Sequence, residues 1–319
     1  DSTNFTLQIG ANDVSNVDTI NIGAVFTTST YTALSINTTV TVATGGAYNS
    51  GNTCRAFLNE IDDRDRIKSR LTQLWNYEKF GIPFKQGDRY FYFKNDGLQN
   101  QNVLYVLDDL DGEPRVLLDP NTLSEDGTVA LNNYTVSEDG KLLAYALSSS
   151  GSDWQEWHVR DVETGKDLPD VVKWSKFSGA SWTHDSHGFF YSGYDAPNED
   201  SQYEDVNYYQ KLYYHRIGTP QSEDLLVYDR PDRKEWGFSG FVTDCGRYLI
   251  ISVWRGTEPK NLIFYRDLQD PESAIEELIP EFEAQYDFVG NDGHIFWFRT
   301  DRDASRYRLI SIDTVTGKQ

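Results

Sequence analysis

The stretch at residues 137–148, "SEDGKLLAYALS", decides how the chain is read. A polar turn, Ser137-Glu138-Asp139, ends on Gly140, and Leu142 to Leu147 are then continuously apolar. A short apolar run bounded by turn residues reads as a strand buried on both faces. The same unit recurs as "KQGDRYFYFKND" (85–96), "THDSHGFFYSGY" (183–194), "TDCGRYLIISVW" (243–254) and "GNDGHIFWFRTD" (290–301). Its turn glycines, Gly87, Gly140, Gly188, Gly246 and Gly293, lie 53, 48, 58 and 47 residues apart. A second unit, a mixed strand followed by a tight Asp, Gly or Pro turn, follows each first one. Examples are "LYVLDDLDGEP" (104–114), "WHVRDVETGK" (157–166) and "IFYRDLQDPE" (263–272).

Paired strand signals at a period of about 50 residues, with almost no helical periodicity, describe an all-β fold of four-stranded blades arranged radially, a β-propeller. Each twisted sheet packs face to face on its neighbour, and a ring leaves only short, protected edges. Five units predict about five blades. An open arc of that size exposes the faces of its end blades, so something must cover them: residues 1–50, another copy, or further sequence.

Three segments follow. Residues 1–50 form a Thr-rich β segment with 11 Thr and no Lys, Arg or Trp, enough strands for an extra blade or a fused element. Asn4 and Asn37 there fit the Asn-x-Thr glycosylation pattern, which is common by chance. Residues 51–83 form a helical linker, with Phe57, Leu58, Ile61, Ile67, Leu71 and Leu74 near helical spacing and Pro83 as the stop. Residues 84–319 form the propeller.

Composition narrows the function. With 29 Lys and Arg against 50 Asp and Glu, the net charge is -21, which disfavours nucleic acid and anionic membrane. No apolar run reaches the length of a membrane span. The chain opens at Asp1 without a basic and apolar leader and contains no Met, so we expect it to have been trimmed from something longer. Cytoplasmic, periplasmic and secreted locations all stay open. Cys54 and Cys245 form no C-x-x-C and are read as thiols.

Ser181, His184, Asp185 and His187 crowd into "SWTHDSHG" and carry the residue types of a nucleophilic triad. Aligned with the other repeats, His184 to His187 occupy the turn, so a blade hairpin is expected. His158, His215 and His294 sit inside strand signatures and are read as structural. No serine is flanked by glycine at both positions of Gly-x-Ser-x-Gly. No catalytic residue, metal site or cofactor is therefore assigned.

From about Arg55 onward the chain resembles the propeller domain of the prolyl oligopeptidase family. The resemblance is carried by "RDRIKSRLTQLWNYEKFGIPFKQGDRYFYFKND", "SEDGKLLAYALSSSGSDW", "VKWSKFSGASWTHDSHGFFYS", "QKLYYHRIGTPQSEDLLVY" and "RYRLISID". It implies part of a seven-bladed propeller joined to an α/β-hydrolase domain, whose Ser–Asp–His triad cuts short peptides after proline while the propeller excludes folded proteins. It also implies substrate-lining side chains: Phe177 in "KFS", and an arginine before the "G-x-[DE]-P" pattern. Here Arg255 stands one position later than that pattern, Trp254 takes the usual place, and Thr257 follows in the same loop. Residues 1–50 do not resemble the family, and "NFTLQIGAN" (4–12) is similar to a short flagellin motif. Three functions stay in play: the lid and size filter of a serine peptidase, with short peptides and a hydrolase domain as partners; a stand-alone peptide- or protein-binding propeller; and a surface or filament protein.

Overall fold

The computed structural model describes residues 61–197 and 207–318, with two short strands of the N-terminal segment, β1 (Val40–Thr41) and β2 (Ala47–Tyr48), paired antiparallel. The other strands expected in residues 1–50, the Asn4 and Asn37 sites, and Cys54, Phe57 and Leu58 lie outside the described residues. The chain divides into two compact units, Asp1–Asn76 and Tyr77–Gln319.

The first unit contains helix α1 (Arg64–Trp75). The Asn76 N–H closes it by donating to the Thr72 carbonyl. The helix stops before Pro83 because the next residues are drawn into a sheet. In the second unit, β3 (Lys79–Phe80) and β4 (Phe84–Gln86) both pair with β5 (Arg89–Asn95). Tertiary strand pairing here overrides the local helical pattern.

The second unit is a succession of antiparallel blades. The first is completed by β6 (Val103–Leu107) and β7 (Arg115–Leu118). The second comprises β8 (Val129–Val136), β9 (Leu142–Ser149), β10 (Gln155–Asp161) and the start of β11 (Asp167–Trp182). The β11 strand pairs with β10 from Asp167 to Ser175, then with β12 (Gly188–Gly193) up to Trp182. It is thus the outermost strand of the second blade and the innermost of the third, which β13 (Lys211–Arg216) and β14 (Leu225–Tyr228) complete. The fourth blade is β15 (Trp236–Val242), β16 (Tyr248–Arg255), β17 (Leu262–Asp267) and β18 (Glu276–Ile279). The fifth has three described strands, β19 (Tyr286–Asp292), β20 (Ile295–Thr300) and β21 (Arg308–Asp313).

Burial follows blade position. Every residue of β12 is buried, as are Leu143 to Ala146 of β9 and Tyr248 to Ile251 of β16, because a blade lies against each side of these strands. In the fifth blade, by contrast, Phe296 and Phe298 are buried against the fourth while Trp297 and Arg299 point outward. Each wholly buried Phe or Leu is worth about 1.5–3 kcal/mol, so blade-to-blade faces dominate the stability. The turns pack as closely as the faces. A Cβ on Gly140, where φ is +70°, would sit 2.5 Å from the Gln86 carbonyl oxygen of the neighbouring blade's turn. Only glycine allows that approach.

The innermost strand of a blade has a sheet neighbour on one side only, so main-chain groups on its free edge need other partners. Side-chain amides at the start of the third strand supply them. Gln101 donates to the Val129 carbonyl and accepts from the Leu131 N–H of the next blade. Gln210 accepts from the Phe238 N–H at 2.6 Å and donates to the Lys176 carbonyl at 2.9 Å. Asn261 likewise exchanges both bonds with Tyr286.

His215 ties the second blade to the third. It is fully buried, with Nδ1 2.7 Å from Asp224 Oδ1 and Nε2 3.1 Å from Asp170 Oδ1. Tyr191 donates its hydroxyl to the other Asp224 oxygen. Two flanking acceptors call for an imidazolium, which carries two donors. Burial pulls its pKa down, but Asp224 and then Asp170 outweigh it and hold the ring above its ordinary 6.5.

Two outcomes are expected. Replacing Gln210 with Ala strands a buried N–H and a buried carbonyl, and equilibrium urea unfolding should show a loss of about 1–3 kcal/mol. The His215 contribution is complete below the unfolded pKa of about 6.5 and is lost as pH rises through the raised folded value. The wild-type urea midpoint should therefore fall between about pH 6 and pH 9 more steeply than that of His215→Gln. The variant itself should cost about 3–5 kcal/mol at the lower pH, since it leaves two carboxylates buried without a counter-charge.

Candidate functional site: the aromatic end of the propeller

A four-stranded meander sends its strands up and down in turn. The loops between second and third strands and the blade-to-blade crossovers therefore share one end of the propeller. The hairpins after first strands lie at the other. This places His184 to His187 at the opposite end from Phe177 and Trp254. They form the hairpin the repeats predict. Thr183 donates its hydroxyl to Asp185 Oδ1 at 2.6 Å, the His187 N–H donates to the same oxygen, and the Thr183 N–H pairs with the Gly188 carbonyl. Ser181 lies on β11, where its hydroxyl accepts from the Val242 N–H. His158 and His215 are strand residues as read, whereas His294 sits in the turn before β20.

The crossover within β11 shapes the other end. Pairing breaks between Ser175 and Ala180, and both Trp174 (φ +59°) and Phe177 (φ +54°) take left-handed backbone. That conformation costs a bulky L-residue about 1–3 kcal/mol and is held only where surroundings impose it. Here Gln210 holds the Lys176 carbonyl, and Ser178 Oγ accepts from the Ser192 N–H. The outcome is a phenylalanine ring 46% exposed at the propeller end.

Of the four residues singled out from the sequence, the fold joins two. The Phe177 and Trp254 rings meet edge to face, with centroids 6.3 Å apart. Trp254 lies over Gly237, its cross-strand partner, where a Cβ would come within 2.0 Å of the indole. Arg255 turns away: its guanidinium lies over the Phe282 ring at 4.6 Å and bonds Glu258 at 2.5 Å. Thr257 is exposed in the same loop.

Sequence reasoning missed a neighbouring group. Trp154 packs edge-on against Trp174 and Tyr194, at 5.7 and 5.8 Å between centroids. Lys176 places its Nζ 4.4 Å from the centre of the Trp154 ring. Burial pushes the Tyr194 hydroxyl up to about 12. The signal was "WSKF", an aromatic-rich tetrapeptide at the point where strand register breaks. Among the described residues no group of three or more His, Cys, Asp or Glu is arranged to hold a metal ion. No helix there is long and apolar enough to cross a membrane.

Antiparallel four-stranded blades in succession define the second unit as a β-propeller. Residues 51–319 match the family described as prolyl oligopeptidase, N-terminal β-propeller domain, and the chain belongs to that family. It is 39% identical over 254 residues to a prolyl endopeptidase of Elizabethkingia miricola, covering 80% of this chain and 36% of that protein. It is 33% identical over 285 residues to a dual function macrocyclase-peptidase of Galerina marginata, covering 81% of this chain and 39% of that one. Among solved structures, prolyl oligopeptidase B from Galerina marginata bound to a 25mer macrocyclization substrate superposes with a TM-score of 0.77 at 30% identity, over 83% of this chain and 40% of that chain. The chain thus spans well under half the length of these relatives, and the part it matches is their N-terminal propeller.

The backbone at position 177 gives a direct test. Phe177→Gly relieves left-handed strain of about 1–2 kcal/mol, which offsets the larger unfolded-state entropy of glycine. Its urea stability should equal or slightly exceed the wild type. A loss above about 2 kcal/mol would mark the ring as a packing element instead.

Proposed function

We propose that this propeller is the lid and size filter of a prolyl oligopeptidase-like serine peptidase that cleaves short proline-containing peptides. The reacting serine, aspartate and histidine belong to an α/β-hydrolase domain of the kind the family's enzymes carry. The single observation behind this reading is the Phe177–Trp254 contact. It presents apolar ring faces at the end of the propeller where loops and crossovers gather, and one of the two rings is held there by strained backbone. Rings so presented suit the apolar side chains and proline rings of an extended peptide. Phe177 and Trp254 then line the distal part of the peptide site. Arg255, stacked on Phe282 and bonded to Glu258, reaches a peptide carbonyl only by leaving those partners, and Thr257 borders the same loop.

The chain alone should leave a chromogenic glycyl-prolyl peptide uncleaved. Fusion to the hydrolase portion of the Elizabethkingia miricola enzyme should produce cleavage of a short proline peptide but not of a folded protein carrying the same sequence. In that fusion Phe177→Ala should raise KM about fivefold with little change in kcat, the size of one aromatic contact. Equal cleavage of peptide and folded protein would refute the filter. An unchanged KM would remove Phe177 from the site.

A further inference from the structure

Lys176 is out of keeping with the rest of the protein. Among the described residues it is the only lysine or arginine that is buried, at 8% exposure. Several partly buried cations have carboxylate partners: Arg89 has Asp108, Arg160 has Asp167, Lys211 has Asp195 and Arg230 has Asp232, whereas the half-buried Arg115 and Arg266 form no ion pair with a described residue. Lys176 forms no ion pair with any described residue, in a chain with 50 acidic side chains. Its Nζ donates to the neutral Asn207 Oδ1 at 2.9 Å and lies over two rings, Trp154 at 4.4 Å and Phe177 at 5.9 Å. An ammonium withdrawn from water is costly without an anion, and a ring face plus one amide oxygen offset only part of that cost. It also has three N–H groups, of which Asn207 takes one.

The surroundings hold this charge in place. Left-handed backbone at Trp174 and Phe177 brackets the residue, and Gln210 holds its carbonyl. Trp174 and Tyr194 in turn stand edge to face against Trp154, the ring beneath the ammonium. The ammonium is therefore preorganised, next to the ring that the proposed function assigns to peptide binding.

We propose that Lys176, seated on Trp154 beside Phe177, is a subsite for a peptide carboxylate. The inference rests on the peptide-binding reading above and extends it: the propeller selects for an anionic group on the part of the peptide that reaches past Phe177. That group is either an acidic side chain or the free C-terminus. In both cases the carboxylate replaces water around the ammonium and accepts its remaining N–H groups. Trp154 covers the apolar part of the same residue.

The test uses the whole chain and three proline-containing hexapeptides of otherwise identical sequence: one neutral, with Gln and a C-terminal amide; one with Glu and the amide; and one with Gln and a free C-terminal acid. Titration calorimetry should give one of the acidic peptides about tenfold tighter binding than the neutral one, the size of one partly desolvated charge-assisted bond. Which peptide gains identifies the source of the carboxylate. In Lys176→Met the advantage should shrink to within about twofold while the neutral peptide binds as before; Lys176→Arg should keep most of it. Lys173→Met, which removes an exposed lysine on the same strand, should leave it intact. Equal binding of all three peptides by the wild type overturns the proposal whatever the variants do, and leaves peptide binding standing. An advantage that survives Lys176→Met overturns it as well. If none of the three binds, the peptide-binding reading fails and the subsite falls with it.

Discussion

The free inner edge of each blade is the constraint on which the rest depends. An antiparallel meander satisfies its own main chain everywhere except along its first and last strands, and the first strand faces the crowded centre of the propeller. Gln101, Gln210 and Asn261 resolve this by holding main-chain groups of the neighbouring blade's first strand. These bonds fix the spacing between blades. The apolar faces can then close to van der Waals contact without sliding, as the wholly buried Phe238, Phe264 and Leu249 of the third-to-fourth interface require.

The same clamps connect blade packing to the candidate site. Gln210 joins the fourth blade's Phe238 to the carbonyl of Lys176, so one side chain sets both the blade spacing and the crossover that carries Phe177. The strain at Trp174 and Phe177 is tolerable because bonded neighbours surround that crossover. Asp170, earlier on the same strand, is held by His215. A long strand that serves two blades is thus pinned at its outer half by charge and at its inner half by amides. The unpaired segment between them carries the Phe177 side chain out to the propeller end.

Much of this was legible in the repeats. "SEDGKLLAYALS" and its relatives specify a turn and a strand through local chemistry, and the structure has them where they were read. The His184–His187 cluster was recognised as a hairpin because its counterparts are plain turns. The amide clamps were not recognised, although each stands immediately ahead of a strand signature, in "QNVLYVL", "QKLYYH" and "NLIFYR". An amide before a strand has too many local uses to name its partner; Gln155, at the start of β10, bonds Asn132 within its own blade. The helix end was misplaced for a related reason. Pro83 is a sound local stop, but strand pairing ended the helix sooner.

The sequence by itself determined the element types, the blade repeat, the acidic character and the family, because each arises from side-chain period, turn chemistry or motif within a short window. Tertiary structure alone decided which faces are doubly buried, that Phe177 meets Trp254 while Arg255 turns to Phe282, and that Lys176, the one buried cation among the described residues, has a ring and an amide for partners. These facts depend on side chains from different blades, and no local pattern encodes the distance between residues that meet only when neighbouring sheets pack.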